Sequence, residues 1–450
     1  MKKKLDFRST LLIGSLLFGL FFGAGNLIFP VKMGQMAGSN TLPATIGFLI
    51  TGVGLPLIGV IGATFSQSES LFDLAKPVSR IYAILFTCML YLTIGPLFAI
   101  PRTASVAFEV GLNPFIDKEY LQIGLLIFSL IFFAFTLYFS LRPGRILDWV
   151  GKYLTPIFLV LLSILIIATF VSPMGEVAQY APQGNYIDKP LFTGILDGYN
   201  TMDALASLAF AIVIVSNIEK LGVKDTKAKA IETCKSSLVC IIGMSVIYAS
   251  LAYMGATSLG SVSSADNGGK IMSMVSDHYF GFIGKLLLAA IVTIACLKTA
   301  IGLITSCAQM FSQLFQKSMS YNKYAIIFTV FSFIIANFGL NKIIQLSLPV
   351  LMFLYPLAIV LIILSLLTPI INKQRQVYRW TIILTIIAAA FDFCNALPTN
   401  LKEGATIKRL IDFAEMYLPG FDYGFGWVIP ALVGFVIGTI IWRSGEKAGS

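Results

Sequence analysis

Residues 19–30, GLFFGAGNLIFP, place two small polar-tolerant positions, Gly25 and Asn26, inside an otherwise apolar run. Gly19, Gly23, Gly25 and Pro30 make that run a poor continuous helix. A helix broken at membrane depth leaves backbone N–H and C=O groups unpaired. Hydrocarbon cannot satisfy them, so water, an ion or a substrate must. A break between Phe22 and Asn26 exposes the N-terminal end of the outer half-helix. Its free N–H groups and dipole favour a carboxylate, and Gly25 lets that group approach the backbone closely. The carbonyls that end the inner half, at Gly19 and Phe22, favour a cation, and the side-chain oxygen of Asn26 is a candidate Na⁺ ligand. Small residues at four-residue spacing also let helices touch. The site reading prevails over packing alone because a second segment is interrupted too.

That second run is residues 197–210, DGYNTMDALASLAF. Asp203 within it carries a proton, bonds the unwound backbone, or caps a half-helix, and all three readings stand. Lys298 lies near the middle of another apolar segment. An intramembrane lysine costs from about 2.5 kcal/mol upward and is a functional candidate by default. Either its ammonium enters an ion site, or the side chain snorkels out or pairs with an acid. Asp392 reads as a packing or interface residue. Arg102, after Pro101 near the outer end of the third segment, is a gate candidate with Glu109 or an acid elsewhere; a headgroup anchor is the alternative. One His, and six Cys without paired spacing, argue against a metal centre, disulfides or a cofactor. The scattered polar residues supply no clustered catalytic groups, so an enzyme is not expected.

The elements that must position these groups follow from composition. The chain has 450 residues, 57% hydrophobic and 12% charged, against about 25% charged in soluble domains. It reads as an all-α polytopic membrane protein in a lipid bilayer. A spanning helix needs about 20 apolar residues. Twelve segments meet that yardstick: roughly 10–35, 41–66, 79–104, 120–140, 146–171, 191–217, 232–255, 278–314, 324–339, 343–368, 378–397 and 425–443. The ninth is short. The eighth is long enough to be tilted or to extend past the bilayer. The linkers 172–190, 256–277 and 398–424 have room for small helices.

With both termini cytoplasmic, Lys and Arg divide 21 to seven in favour of the inner positions, as the positive-inside rule requires. Lys220, Lys224, Lys227 and Lys229 belong to that bias. The net charge of +10 sits in short clusters between apolar runs, so a nucleic-acid partner is not expected. The basic start MKKKLDFR precedes an apolar run too long for a cleaved signal, and is read as leading into a retained first helix. Interruptions in segments 1 and 6, each opening a five-helix set, are the pattern of two inverted repeats.

Four segments carry a resemblance: FGLFFGAGNLIFP, IGPLFAIPRTASVAFEVG (94–111), GYNTMDALASLAF (198–210) and LKTAIGL (297–303). They are similar to the signature segments of the branched-chain amino acid:cation symporter family, in order along essentially the whole chain. That family sits within the amino acid–polyamine–organocation superfamily. The resemblance implies a LeuT-type fold of twelve helices with a five-plus-five inverted repeat and discontinuous helices 1 and 6. One transporter domain would span 1–450, with repeats at 10–171 and 191–368 and helices 11 and 12 at 378–443. It implies a secondary active symporter in the plasma (inner) membrane, importing Leu, Ile and Val by alternating access on a Na⁺ or H⁺ gradient. An amino-acid sensor or a channel-like protein is the rival reading.

Segment 1 also resembles the corresponding helix of sodium-coupled neurotransmitter-type transporters. That match implies a substrate site from Phe22, Gly23, Ala24, Gly25 and Asn26, with Gly25 amides on the carboxylate. Segment 6 would add Ala206, Ser207, Leu208 and Phe210, with an unwound stretch at 207–210 accepting the ammonium and Phe210 lining the aliphatic pocket. Ion coupling would fall to Gly19, Phe22, Asn26, Asp203, Ala295, Lys298 and Thr299. Lys298 stands where the pattern expects a hydroxyl ligand. A buried branched side chain gains about 1.5–3 kcal/mol, and one methylene changes binding by only about 1–3 kcal/mol, so overlapping use of Leu, Ile and Val is expected. Helices 11 and 12 are a frequent dimer surface in such folds, but no oligomeric state follows from the sequence.

Overall fold

Asp6 caps the first helix by accepting a hydrogen bond from the Ser9 amide at 3.2 Å, and α1 runs Phe7–Phe21. It stops because Gly23 is extended (φ −126°, ψ −166°), and the chain turns helical again in α2 (Ala24–Ala37). This computed structural model describes residues 5–66, 68, 70–142 and 155–448. The second segment forms α3 (Thr41–Leu49), a wide π turn at Ile50–Gly54 and α4 (Leu55–Ser66). The third forms α5 (Arg80–Leu92), a π turn at Thr93–Leu97 and α6 (Ala99–Gly111). Then come α7 (Leu121–Ser140) and α8 (Thr155–Val171). The first residues of the fifth expected segment, 146–154, lie outside the described residues.

The sixth segment is interrupted: α9 (Pro190–Gly198), a 3₁₀ turn at Tyr199–Thr201, then α10 (Asp203–Lys220). Next are α11 (Thr226–Ser258), α12 (Gly268–Leu314), α13 (Tyr321–Ala336) and α14 (Leu340–Leu366). Last are α15 (Arg375–Asn395), α16 (Ala405–Tyr417) and α17 (Val428–Ala448). No strand occurs among the described residues. Seven of the described helices are long and apolar enough to cross a membrane, and four shorter apolar helices accompany them. Leu126, Leu130 and Ile131 on α7, and Leu432, Val436 and Ile440 on α17, face outward. Apolar faces of that extent suit lipid as the surrounding solvent.

Two features depart from the expected layout. The eighth segment is long, as expected, but it opens on a corner: Gly281 (φ +57°), in a conformation glycine adopts at no steric cost, bends α12 near the segment's start, and the helix then runs on to Leu314. The third segment is broken as well. Gly95 leaves helical geometry (φ −102°, ψ −127°) and Pro96 follows it, removing a backbone donor. Of the roomy linkers, 172–190 holds 3₁₀ turns, 256–277 contains the start of α12, and 398–424 contains α16. α16 exposes Leu410, Phe413 and Met416 beside Lys408 and Arg409, the character of an interfacial helix.

Lipid tails are as apolar as leucine, so close backbone approach rather than water exclusion holds the helices together. α2 lies against α11, and α3 against α9. A Cβ on Gly34 would stand 1.9 Å from the Ala252 carbonyl oxygen, and one on Gly255 2.0 Å from that of Val31. Gly47 and Gly194 make the same reciprocal approach between α3 and α9, each 2.0 Å from a facing carbonyl oxygen. A methyl group at such a site forces the backbones apart. Gly255→Ala is therefore expected to cost at least about 2 kcal/mol of stability, read as a lowered unfolding temperature in detergent. An unchanged midpoint would mean that the α2–α11 seam is looser than described.

Candidate functional site

The three broken segments bring their interruptions to one cavity. Gly23, Ala24, Gly25 and Asn26 line it from the start of α2. Thr201, Met202, Asp203, Ala206 and Phe210 come from the sixth segment, Ile94, Ala99, Arg102 and Thr103 from the third, and Thr299 and Leu303 from α12. Leu20 and Phe21 complete the wall. The break in the sixth segment turns on Met202, a left-handed residue (φ 62°, ψ 11°) that ends the 3₁₀ turn and starts α10 at Asp203. A non-glycine residue held there costs of order 1–3 kcal/mol and marks a place the surroundings over-determine.

Asp203 and Arg102 are the charged side chains of the cavity wall, 2% and 3% exposed. The Asp203 Oδ2 accepts hydrogen bonds from Asn26 Nδ2 at 2.7 Å and from the Tyr248 hydroxyl at 2.9 Å. Asn26 Nδ2 also donates to the Tyr248 hydroxyl. Asn26 Oδ1 accepts from the Gly23 amide at 2.9 Å and so caps α2. One buried network thus joins the two broken helices to α11. The Gly23 amide uses one of the two lone pairs of Asn26 Oδ1 and leaves the other for a cation. Arg102 Nη1 donates to the Asn200 carbonyl at 2.7 Å, and its guanidinium stands 5.0 Å over the Phe29 ring. Its Nη2 is 2.8 Å from where a Cβ on Gly25 would lie. A guanidinium and a helix N-terminus therefore converge on one side, where both favour an anion. Thr299 lies across from Gly23 and donates its hydroxyl to the Ala295 carbonyl at 3.1 Å.

Not every expected residue reaches this cavity. Gly19, Phe22, Ser207, Leu208, Ala295, Lys298 and Glu109 are not among its lining. Phe22 packs among Phe18, Phe158 and Tyr248. The unwound stretch of the sixth segment is Tyr199–Met202 and not 207–210, which is helical within α10. Ser207 bonds the Ala204 carbonyl at 2.7 Å and sits against Gly59 of α4, so it serves helix packing. The expected Arg102–Glu109 gate pair does not form. α6 continues to Gly111, which leaves Arg102 deep in the bundle, while Glu109 bonds Asn113 at 2.8 Å and pairs with Lys270 at 3.6 Å. The Gly95–Pro96 pair is the sequence signal for the break that brings Arg102 to this cavity. Tyr248 had none, since it arrives from a regular helix.

Comparison with known proteins agrees with this architecture. Residues 6–444 match the family model described as branched-chain amino acid transport protein. The branched-chain amino acid permease BrnQ of Lactobacillus delbrueckii subsp. lactis is 46% identical over 438 residues, 97% of each chain. The branched-chain amino acid permease BraB of Bacillus subtilis (strain 168) is 44% identical, over 98% of this chain and 97% of that one. Among solved structures, Mhp1, a nucleobase-cation-symport-1 family transporter in a closed conformation with bromovinylhydantoin bound, superposes with a TM-score of 0.62. That match covers 98% of this chain and 93% of Mhp1 at 14% identity, and so shows a shared fold alone. With the family model spanning nearly its whole length and relatives well above 40% identity, this chain belongs to the branched-chain amino acid transport protein family.

Proposed function

We propose that this chain imports branched-chain L-amino acids as a secondary active symporter, by alternating access, on a Na⁺ or H⁺ gradient. The observation that carries the reading is one buried cation and one buried carboxylate, Arg102 and Asp203, in an otherwise largely apolar cavity between broken helices. A zwitterion with an aliphatic side chain complements that wall. Its carboxylate docks on Arg102 and the amides at the start of α2, and its ammonium on Asp203. Its side chain packs on Phe21, Ile94, Phe210 and Leu303. Na⁺ has two candidate positions, one at Asn26 and one beside Thr299 with the carbonyls of Gly19, Phe22 and Ala295. Lys298, adjacent to Thr299, replaces an ion or points away from that position. The path comprises twelve passes through the plasma membrane with both termini cytoplasmic, as the 21-to-seven division of basic residues supports. Helices 1–5 (10–171) and 6–10 (191–368) form two inverted repeats, with helices 11 and 12 (378–443) outside them.

Leucine uptake into proteoliposomes under separately imposed gradients tests this, with Lys298→Thr run alongside. Accumulation on a Na⁺ gradient without ΔpH means a working sodium site. Accumulation on ΔpH alone, with Na⁺ dependence gained in Lys298→Thr, means the lysine replaces an ion. No accumulation under either gradient sinks the symporter reading.

A further inference from the structure

The break in the third segment is held from outside that segment. In a π turn each carbonyl takes its hydrogen bond from the N–H five residues on. The Thr93 carbonyl finds that donor at Phe98. For Tyr91 the residue five on is Pro96, which has no N–H. Tyr91 is 3% exposed, and hydrocarbon offers its carbonyl nothing. The thiol of Cys307 on α12 supplies a donor: its Sγ lies 3.4 Å from the Tyr91 carbonyl oxygen. Cys307 is itself fully buried. The same sulfur fills the space left by Gly95, where the segment leaves helical geometry. A Cβ on Gly95 would stand 2.7 Å from that Sγ, with the Cys307 Cβ next at 3.7 Å. Residues four apart on a helix share a face. Thr299 and Leu303 of α12 line the cavity, as do Ile94 and Ala99 on either side of the break. Cys307 is one turn beyond Leu303 on the same helix. One face of α12 therefore runs from the cavity wall to the break.

We propose that Cys307 is a positioning residue for the substrate site: its thiol holds the Gly95–Pro96 break and so sets the direction in which α6 presents Arg102. This rests on the substrate pose proposed above, in which Arg102 meets the carboxylate. The path from sulfur to guanidinium is short. Tyr91 stands at the end of α5, and the Arg102 amide bonds the Phe98 carbonyl at 3.0 Å, so Arg102 belongs to the first turn after the break. A change of angle there moves the guanidinium relative to Gly25 and to the Asn200 carbonyl that it holds. Cys307 does not line the cavity; it acts on the substrate only through the break. A thiol is a weak donor, and its bulk beside Gly95 fixes the corner together with the hydrogen bond.

The test uses the full chain in lipid nanodiscs: wild type, Cys307→Ala, Cys307→Ser, Gly95→Ala and the Gly95→Ala/Cys307→Ala pair. Equilibrium binding is measured for leucine and for leucinol, its analogue without the carboxylate. Cys307→Ala is expected to weaken leucine about tenfold, the scale of one buried carbonyl losing its donor, and leucinol by no more than about twofold. Cys307→Ser keeps a donor and is expected to stay within about threefold of wild type. Gly95→Ala drives a methyl against the sulfur and is expected to weaken leucine by about tenfold or more. Removing the sulfur in the double variant is expected to return part of that loss, so the two changes are not additive. Wild-type leucine affinity in Cys307→Ala overturns the proposal. So does an equal loss for leucine and leucinol, the mark of packing alone, and so does a double variant no better than Gly95→Ala. Independently, the infrared S–H stretch of wild type is expected to contain a component lowered in frequency by hydrogen bonding that Cys307→Ser lacks. Spectra without that difference overturn the proposal, and this comparison decides alone if Cys307→Ala does not assemble. Should wild type bind no leucine, the transport reading fails, while the S–H band still decides whether the thiol holds the break.

Discussion

Arg102→Ala is expected to weaken leucine binding by about 100-fold or more. Removing one partner of a buried charged interaction costs about 3–5 kcal/mol, and every ~1.4 kcal/mol is a factor of ten in affinity. The reasoning is local. Arg102 is 3% exposed, holds the Asn200 carbonyl and presents its second terminal nitrogen beside Gly25. In the proposed pose a bound carboxylate meets that nitrogen and the α2 amides together. Arg102→Lys keeps the charge without the planar fork, and is expected to restore only part of the loss. Equilibrium binding of leucine and leucinol, which lacks the carboxylate, separates substrate recognition from scaffold damage. Wild type is expected to prefer leucine strongly, and Arg102→Ala to lose that preference. A variant that still prefers leucine over leucinol by the wild-type factor would remove Arg102 from the carboxylate site.

The second large effect is expected at the opposite end of the zwitterion. Asp203→Asn removes the negative charge proposed to face the ammonium, and leaves Asn26 and Tyr248 only a neutral amide oxygen to share. Binding is expected to fall by roughly 100-fold, as hydrogen bonds to charged groups contribute about 1.5–3 kcal/mol before the lost ion pairing is counted. The informative comparison is with 4-methylpentanoate, the leucine skeleton without its amine. Wild type is expected to reject it, because without an ammonium the buried Asp203 carboxylate would be left uncompensated in a cavity of low polarity. Asp203→Asn is expected to narrow the gap between the two ligands. If the variant binds leucine normally and only loses coupled accumulation, Asp203 serves the ion and not the ammonium.

Much of this architecture is legible in the sequence, for identifiable reasons. Glycine, proline and asparagine inside apolar runs mark broken helices, and the first and sixth segments, which carry them, are interrupted in the structure. The exact corner of the sixth is not legible. Its polar stretch offers many places to break, and the left-handed residue is Met202, a type with no compositional signature for that conformation. Arg102 shows the same limit from another side. Its position along the third segment was plain, but its direction depends on the Gly95–Pro96 break, which turns α6 so that the guanidinium meets the end of another helix. The Asn26–Asp203–Tyr248 network joins residues up to 222 positions apart, and no local pattern encodes a meeting at that range.

The glycine seams carry a mechanical consequence. Where a facing carbonyl leaves no room for a methyl group, as at Gly34, Gly255, Gly47 and Gly194, two helices cannot slide past each other by a turn. The residue arriving at the seam would bring a side chain into backbone. The first and seventh segments form one pair locked in this way and the second and sixth form another, and the breaks of the first and sixth segments lie within these pairs. Each pair behaves as a strut. Rearrangement that opens the cavity to one side or the other then falls to the joints made by side chains alone. The face that α6 and α12 share, carrying Arg102 on one helix and Thr299 on the other, borders the cavity, and there a Cβ on Gly111 would meet Ala289 at an ordinary van der Waals distance of 3.4 Å.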